Sequence, residues 1–168
     1  MKTIKKKFIS ITMIALLCFS LTSCGKDSEK VVEQIDMNKL QATMLAADET
    51  LPEMKVSTSK DENADLNFTS LSDMDYNRIA DYFYAYAQNG TAEEIAVIQL
   101  KDSKDEAILM QSLQKHVDNR ITTLQEYNPE QVPMAENAVI TRKSGCVTLI
   151  ISEKNGMVQN AFEDFFKK

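Results

Sequence analysis

The stretch DYFYAYAQNGTAEEIAVIQL, residues 81–100, decides the fold. Residues 82–87 alternate in the way that is typical of a strand, and they are rich in strand-forming side chains. Asn89-Gly90 is a strong turn signal, and an apolar run of strand length follows from Ile95 to Leu100. Together these features predict a β-hairpin.

A helix-start signal precedes this hairpin. Ser72 and Asp75 have the spacing of a helical cap, and apolar residues continue at helical spacing through Ile79 to Phe83. We therefore predict a short helix that passes into the first strand. The alternative is one helix over residues 73–87, in which the alternating tyrosines would not share one face.

One long amphipathic helix is predicted after the hairpin, over residues 103–127. Its apolar residues recur at spacings of three and four, and they are Ala107, Met110, Leu113, Val117, Ile121 and Leu124. Asn128-Pro129 ends this helix, because the residue before a proline disfavours the helical conformation.

A second hairpin is predicted nearer the C-terminus. Residues 138–140 and 146–151 have the character of strands, and Gly145 supplies the turn between them. Asn155-Gly156 is expected to end this hairpin, and a final amphipathic helix follows.

The N-terminal part of the fold is predicted to be helical. Met37, Leu40 and Met44 recur at helical spacing, whereas residues 55–70 are mostly polar and fit a loop or an irregular edge strand. The complete pattern predicts a single α+β domain over residues 35–168. In it, a mainly antiparallel four-stranded sheet made of two hairpins packs against helices.

Residues 1–24 have the three-part order of an export signal. A basic stretch at 5–7 precedes an apolar run of about a dozen residues, and the sequence LTSC follows at 21–24. A membrane-spanning helix needs roughly 20 apolar residues, so this run is too short for a permanent anchor.

The sequence LTSC resembles the bacterial lipobox, in which a Cys receives diacylglycerol before the preceding peptide is removed. We therefore predict a signal peptide over residues 1–23, a lipidated Cys24 at the mature N-terminus and a polar tether over residues 24–34. The alternative is an ordinary secretory signal with a coincidental Cys. Two acyl chains would make the attachment persistent, because one chain anchors a protein only marginally.

The mature chain would be strongly acidic. The whole sequence has a net charge of −6, and removal of the signal with its four lysines leaves 15 basic against 25 acidic residues, a net charge of −10. Such a surface repels phosphate backbones, which argues against nucleic-acid binding. Cationic ligands and basic segments of envelope proteins are the partners that it favours.

Four features of the sequence resemble one known family. They are the lipobox Cys24, the strand entry over residues 92–98, the long helix that ends before Pro129, and the strand over residues 146–152. These features are similar to the domain of unknown function 4358 family, small lipoproteins of Gram-positive anaerobes. The resemblance implies the same order of elements and a membrane anchor, and it implies no catalytic residue and no substrate.

Asp61-x-Asn63-x-Asp65 matches the first three ligand positions of a calcium loop. Leu66 stands where the loop needs a Gly, and Ser72 stands where a bidentate Glu should complete the coordination. We predict a solvated acidic loop, no metal site and no cofactor.

His116 and Cys146 are the pair on which an enzyme hypothesis could rest. His116 is the only histidine and lies beside the apolar stripe of the long helix. With Cys18 removed and Cys24 lipidated, Cys146 is the only free thiol, so no intramolecular disulfide can form. Cys146 opens an apolar strand, which favours a buried structural thiol over a nucleophile.

Tyr82, Tyr84 and Tyr86 are predicted to share one face of their strand, opposite Phe83 and two alanines. If a helix packs on the alanine side, the tyrosine row is a candidate surface for a ligand or partner. The alternative is that these rings fill a second layer of the core.

No reaction centre is recognisable in the sequence, and the carboxylate pair Glu93-Glu94 indicates none. We therefore expect a membrane-anchored lipoprotein on the extracytoplasmic face of the cell membrane, with a non-catalytic binding or accessory domain. The alternative is an envelope hydrolase whose site cannot be recognised from sequence.

Overall fold

Five strands and five α-helices make up residues 35–167, the part of the chain that the computed structural model describes. The strands are β1 (Met54–Thr58), β2 (Ile79–Ala87), β3 (Glu94–Leu100), β4 (Val139–Lys143) and β5 (Cys146–Ile151). The helices are α1 (Met37–Ala46), α2 (Ala64–Thr69), α3 (Glu106–Tyr127), α4 (Val132–Glu136) and α5 (Asn155–Phe165). The strands form one antiparallel sheet in the order β1-β2-β3-β5-β4, which confirms the α+β class.

The predicted central hairpin is formed by β2 and β3. Tyr82 pairs with Ile98 and Tyr86 pairs with Glu94, so the tyrosine-rich stretch is a strand and not a helix. Gly90 has a φ of +81°, a conformation that glycine adopts without steric cost. A short 3-10 helix over Tyr76–Arg78 leads into β2, but it is capped by Asp75 and does not begin at Ser72 as the spacing predicts.

The predicted number of strands is wrong, because the sheet has five strands and not four. The additional strand is β1, which pairs with β2 at one edge of the sheet. In the sequence it lies in the polar stretch over residues 55–70, for which an edge strand was one of two interpretations. Because an edge strand pairs on one side only, polar residues such as Lys55 are tolerated there.

The second hairpin and the long helix agree with the sequence, with one exception. Asn155 and Gly156 do not end the hairpin, since they form the first turn of α5. The Asn155 side chain instead accepts a hydrogen bond from the backbone N–H of Ser152 at 2.8 Å. This side-chain contact turns the chain from β5 into the helix.

Helices cover both faces of the sheet. Residues of α1 and α5 pack with Phe83, Val97 and Ile150 on one face. Residues of α2, α3 and α4 pack with Tyr82, Ile98 and other residues on the opposite face. Two apolar cores therefore lie on either side of one sheet, and the long helix α3 belongs to the second.

The described helices contain no segment that is long and apolar enough to cross a membrane. The signal peptide over residues 1–23, the lipidated Cys24 and the tether over residues 24–34 lie outside the described residues, and they stay predictions.

Candidate functional site

The tyrosines of β2 share one face, as their alternation predicts, but that face is not open. Tyr82 and Tyr84 are buried, because α2 and α3 cover this side of the sheet. The Tyr82 hydroxyl donates to the Ala64 carbonyl oxygen at 2.7 Å, inside the core. The three tyrosines therefore do not form an exposed row, and the rings of Tyr82 and Tyr84 fill a second layer of the core, which is the alternative interpretation of the sequence. Only Tyr86 remains half-buried.

Tyr86 lies in a row of side chains that crosses three strands. In the register of the sheet, Lys55 of β1 pairs with Tyr86, and Tyr86 pairs with Glu94 of β3. Directly paired residues project from the same face, so all three side chains lie on the α3 side. The Lys55 ammonium is 5.9 Å from the centre of the Tyr86 ring, within reach of a cation–π contact.

Glu94 is a buried carboxylate with two basic partners on α3. Its Oε2 lies 2.6 Å from Nε2 of His116, and its Oε1 lies 3.1 Å from Nε of Arg120. His116 and Arg120 are one turn apart on α3, so the same helix face carries both over the carboxylate. The side chain of Glu94 is only 4% exposed. A buried charge needs such partners, because burial removes its hydration.

The Tyr84 hydroxyl belongs to the same group of polar side chains. Burial above all, and then the charge of Glu94 and a hydrogen bond to it, raise the pKa of Tyr84 well above its usual value. The phenol therefore stays protonated at neutral pH. We call Tyr84, Glu94, His116 and Arg120 the Glu94 cluster.

A cavity of about 380 Å³ opens beside the Glu94 cluster. Its walls include Lys55, Tyr84, Tyr86, Glu94 and Arg120, and we call it the tyrosine cavity. This volume lies within the range of about 300–1,000 Å³ that is typical of small-molecule sites. Its walls combine two tyrosine rings with the charged groups of Lys55, Glu94 and Arg120.

Sequence reasoning missed Glu94 and Arg120. Glu94 is the first residue of a strand that is otherwise apolar apart from Gln99, and Arg120 follows His116 by one helical turn. A charged residue in an apolar strand and a basic pair on one face of a helix each indicate a polar contact in that element. The sequence alone does not reveal that the two elements meet there.

His116 and Cys146 are not brought together. His116 is on α3, whereas Cys146 packs into the core with α1 and α5 on the other face of the sheet. Burial, followed by the charges of Asp81 and Glu106, raises the pKa of Cys146 to about 12. The thiol is therefore protonated and cannot form a dyad with this imidazole.

A second polar cluster joins α3 to the segment after α2. The Ser112 hydroxyl donates to Asp73 Oδ1 at 2.5 Å, and Lys115 Nζ donates to Asp73 Oδ2 at 2.8 Å. Ser72 and Ser112 share a further hydrogen bond of 2.8 Å. These groups satisfy one another, so Ser112 has no arrangement that would make it a nucleophile.

The Asp61 side chain stabilises a turn of the fold. Asp61 accepts hydrogen bonds from the backbone N–H and the hydroxyl of Thr58, both at 3.0 Å, and thereby closes the turn after β1. Within residues 35–167, no three or more His, Cys, Asp or Glu side chains are placed to hold a metal ion.

A family model described as a domain of unknown function, DUF4358, matches residues 53–152. The match covers every strand of the sheet and contains the whole Glu94 cluster. No curated protein and no solved structure matches the chain.

Proposed function

Because the chain belongs to the DUF4358 family, whose function is unknown, its role has to be inferred from its own residues, and we propose that it is a lipid-anchored binding domain. The domain would stand on the outer face of the cytoplasmic membrane, attached through lipid on Cys24. Its task would be non-catalytic, as a binding or accessory part of the cell envelope. The order of basic stretch, apolar run and LTSC motif supports the anchor and its location.

One geometric observation carries the binding role. The Glu94 cluster places a buried, paired charge beside an open cavity with a tyrosine wall. Buried ion pairs are seldom the most stable solution for a core, because apolar residues of similar volume often stabilise it as well or better. The position of the Glu94 ion pair at the wall of a cavity is better explained if the cavity binds a ligand.

The alternative function is an envelope hydrolase, and one observation favours it. Glu94 lies within hydrogen-bond distance of His116, an arrangement that orients a general base in many hydrolases. Neither Cys146 nor Ser112 is placed as a nucleophile for this histidine, since Cys146 lies on the other face of the sheet and the Ser112 hydroxyl donates to Asp73. The binding role is therefore the stronger proposal.

Affinity capture from native membranes tests this function. The lipidated wild-type protein is compared with Tyr86→Ala, which removes the ring at the cavity, and with Tyr127→Ala as the matched control. Tyr127 is 82% exposed and does not line the cavity, so its loss should leave binding intact. Tyr82→Ala is unsuitable, because it would open a void in the core.

We expect the wild-type protein and Tyr127→Ala to retain the same partner, and Tyr86→Ala to lose it. Equal recovery by all three proteins would reject the tyrosine cavity as the contact. Recovery of no partner, together with turnover of an envelope substrate by the purified protein, would favour the hydrolase.

A further inference from the structure

We propose that the tyrosine cavity binds a small organic anion, whose acidic group contacts Lys55 and Arg120 and whose ring or apolar body packs against Tyr86. This inference rests on the proposed function, because it names the class of ligand for the same cavity.

The charges that line the cavity favour an anion. Lys55 and Arg120 are cationic, and Glu94 is the only carboxylate among the lining residues. Glu94 already has His116 Nε2 at 2.6 Å and Arg120 Nε at 3.1 Å, so its charge is balanced inside the protein. A cationic ligand would find no free carboxylate on these walls.

Lys55 is the cation that is free to move toward a ligand. Its ammonium lies over the Tyr86 ring and makes no salt bridge with any residue between 35 and 167. The side chain is exposed and belongs to the edge strand β1. An anion above Tyr86 can therefore attract this ammonium without the loss of an existing ion pair.

Arg120 supplies hydrogen-bond donors at the wall of the cavity. Its Nη2 donates to the Thr91 carbonyl oxygen at 2.6 Å, which holds the guanidinium in place. Its Nε is buried and makes no hydrogen bond in acceptable geometry, although the Glu94 carboxylate is close. The planar guanidinium carries several further N–H donors, and its fork matches carboxylate and phosphate oxygens.

Tyr86 provides the wall for the remainder of the ligand. Its ring lies 5.2 Å from that of Tyr84, and the two rings are tilted by 35°. Paired rings of this kind give a large apolar surface with a polar tip. An acid with a ring or compact apolar body fits this wall better than a bare inorganic ion.

The cavity differs in charge from the rest of the molecule. The predicted mature chain has a net charge of −10, whereas two cations and one paired carboxylate line this site. Because Arg120 and Glu94 are close enough to balance each other, the charge of Lys55 is left over, and it favours a negatively charged ligand at this point.

Titration of the mature protein in non-ionic detergent, followed by 1H–15N NMR, tests the inference. The probes are benzoate, phenyl phosphate, benzamide and benzyltrimethylammonium, which share a ring and differ in charge and head group. The variants are Lys55→Gln and the matched control Lys104→Gln, whose lysine is highly exposed and does not line the cavity.

We expect benzoate or phenyl phosphate to shift the amide signals of Tyr86 and Glu94 and the Nε–H signal of Arg120. Lys55→Gln should weaken this binding about fivefold, the size of one exposed charge pair, and Lys104→Gln should leave it unchanged. Tighter binding of benzoate would indicate a carboxylate ligand, and tighter binding of phenyl phosphate would indicate a phosphate ligand. Benzamide should bind more weakly than either anion.

Two results would overturn the inference. If benzyltrimethylammonium shifts the same signals as strongly as the anions, the cavity binds ligands but the charge assignment is wrong, and the proposed function stands. If no probe shifts these signals up to its solubility limit, the anion site does not exist. Partner capture with Tyr86→Ala then decides the proposed function independently.

Discussion

Nε2 of His116 and Oε2 of Glu94 lie 2.6 Å apart beneath helix α3, and their side chains are only 14% and 4% exposed. Arg120, one turn further along the helix, approaches the second oxygen of the same carboxylate at 3.1 Å. A single carboxylate at the start of β3 thus contacts two basic side chains of the long helix.

Replacement of Glu94 should therefore destabilise the domain strongly. Glu94→Gln leaves Arg120 without its counter-charge in a largely buried position, and we expect a loss of about 3 kcal/mol in the free energy of unfolding. Urea denaturation of the purified protein measures this loss. Glu93→Gln is the control, because Oε2 of Glu93 is buried without a hydrogen-bond partner. Its effect should stay within about 1 kcal/mol, and equal losses for the two variants would show that the pairing is unimportant.

Asp48 should make the stability of the domain dependent on acidic pH. Burial alone would raise its pKa, but hydrogen bonds from Ser152, Thr50 and the backbone of Lys154 outweigh this effect and hold the pKa below its usual value. A lowered pKa means that the charged form stabilises the fold at neutral pH. That contribution is complete above the unfolded value of about 4 and is lost as the pH falls through the lower folded value.

Unfolding measured in urea between neutral pH and about pH 3 checks this dependence. Asp48→Asn should be less stable than the wild type at neutral pH, and the difference should shrink as the pH falls. A constant difference at all pH values would contradict the assignment to this carboxylate.

Cys146 should react slowly with iodoacetamide at neutral pH. The thiol is fully buried, and burial raises its pKa to about 12, so almost no thiolate is present. The measurement uses a chain with Cys18→Ser and Cys24→Ser, in which Cys146 is the only thiol. His116→Gln should not change the rate, and denaturant should accelerate it. A fast reaction that slows in His116→Gln would instead support a catalytic pair.

Chelation should leave the melting temperature unchanged. Asp61 is used in hydrogen bonds to Thr58, and the loop lacks the Gly and the Glu that a calcium loop requires. Thermal unfolding with and without EDTA measures this. A lower melting temperature in EDTA that calcium restores would show that the loop binds the ion.

Most of the fold follows from local patterns in the sequence. The Asn89-Gly90 turn and the stripe of α3 are strong signals, because each depends on neighbouring residues. The strand β1 is a weaker signal, since it is an edge strand with few apolar residues, and its pairing with β2 depends on residues distant in the chain. A pattern of alternation predicts which tyrosines share a face, but not whether a helix covers that face.

The candidate site was harder to predict for the same reason. Glu94 and Arg120 are separated in sequence by the rest of β3, the short segment after it and more than half of α3, and only the packing of this helix on the sheet brings them together. His116 stands out in the sequence as the only histidine, and the sequence offers Cys146 as its candidate partner. The sequence contains no local signal that the imidazole contacts the carboxylate of Glu94, which lies on the same face of the sheet as α3.

The proposed attachment of the domain to the membrane depends on lipid at Cys24, and fractionation of cells tests this most directly. Wild-type protein and Cys24→Ala are expressed in a Gram-positive host, and the membrane and soluble fractions are compared together with the intact mass of the protein. We predict that the wild type is found in the membrane fraction with a diacylglyceryl group on an N-terminal Cys24, whereas Cys24→Ala carries no lipid and loses stable membrane attachment. Unchanged membrane association of Cys24→Ala, or a wild-type protein without lipid, would contradict the account.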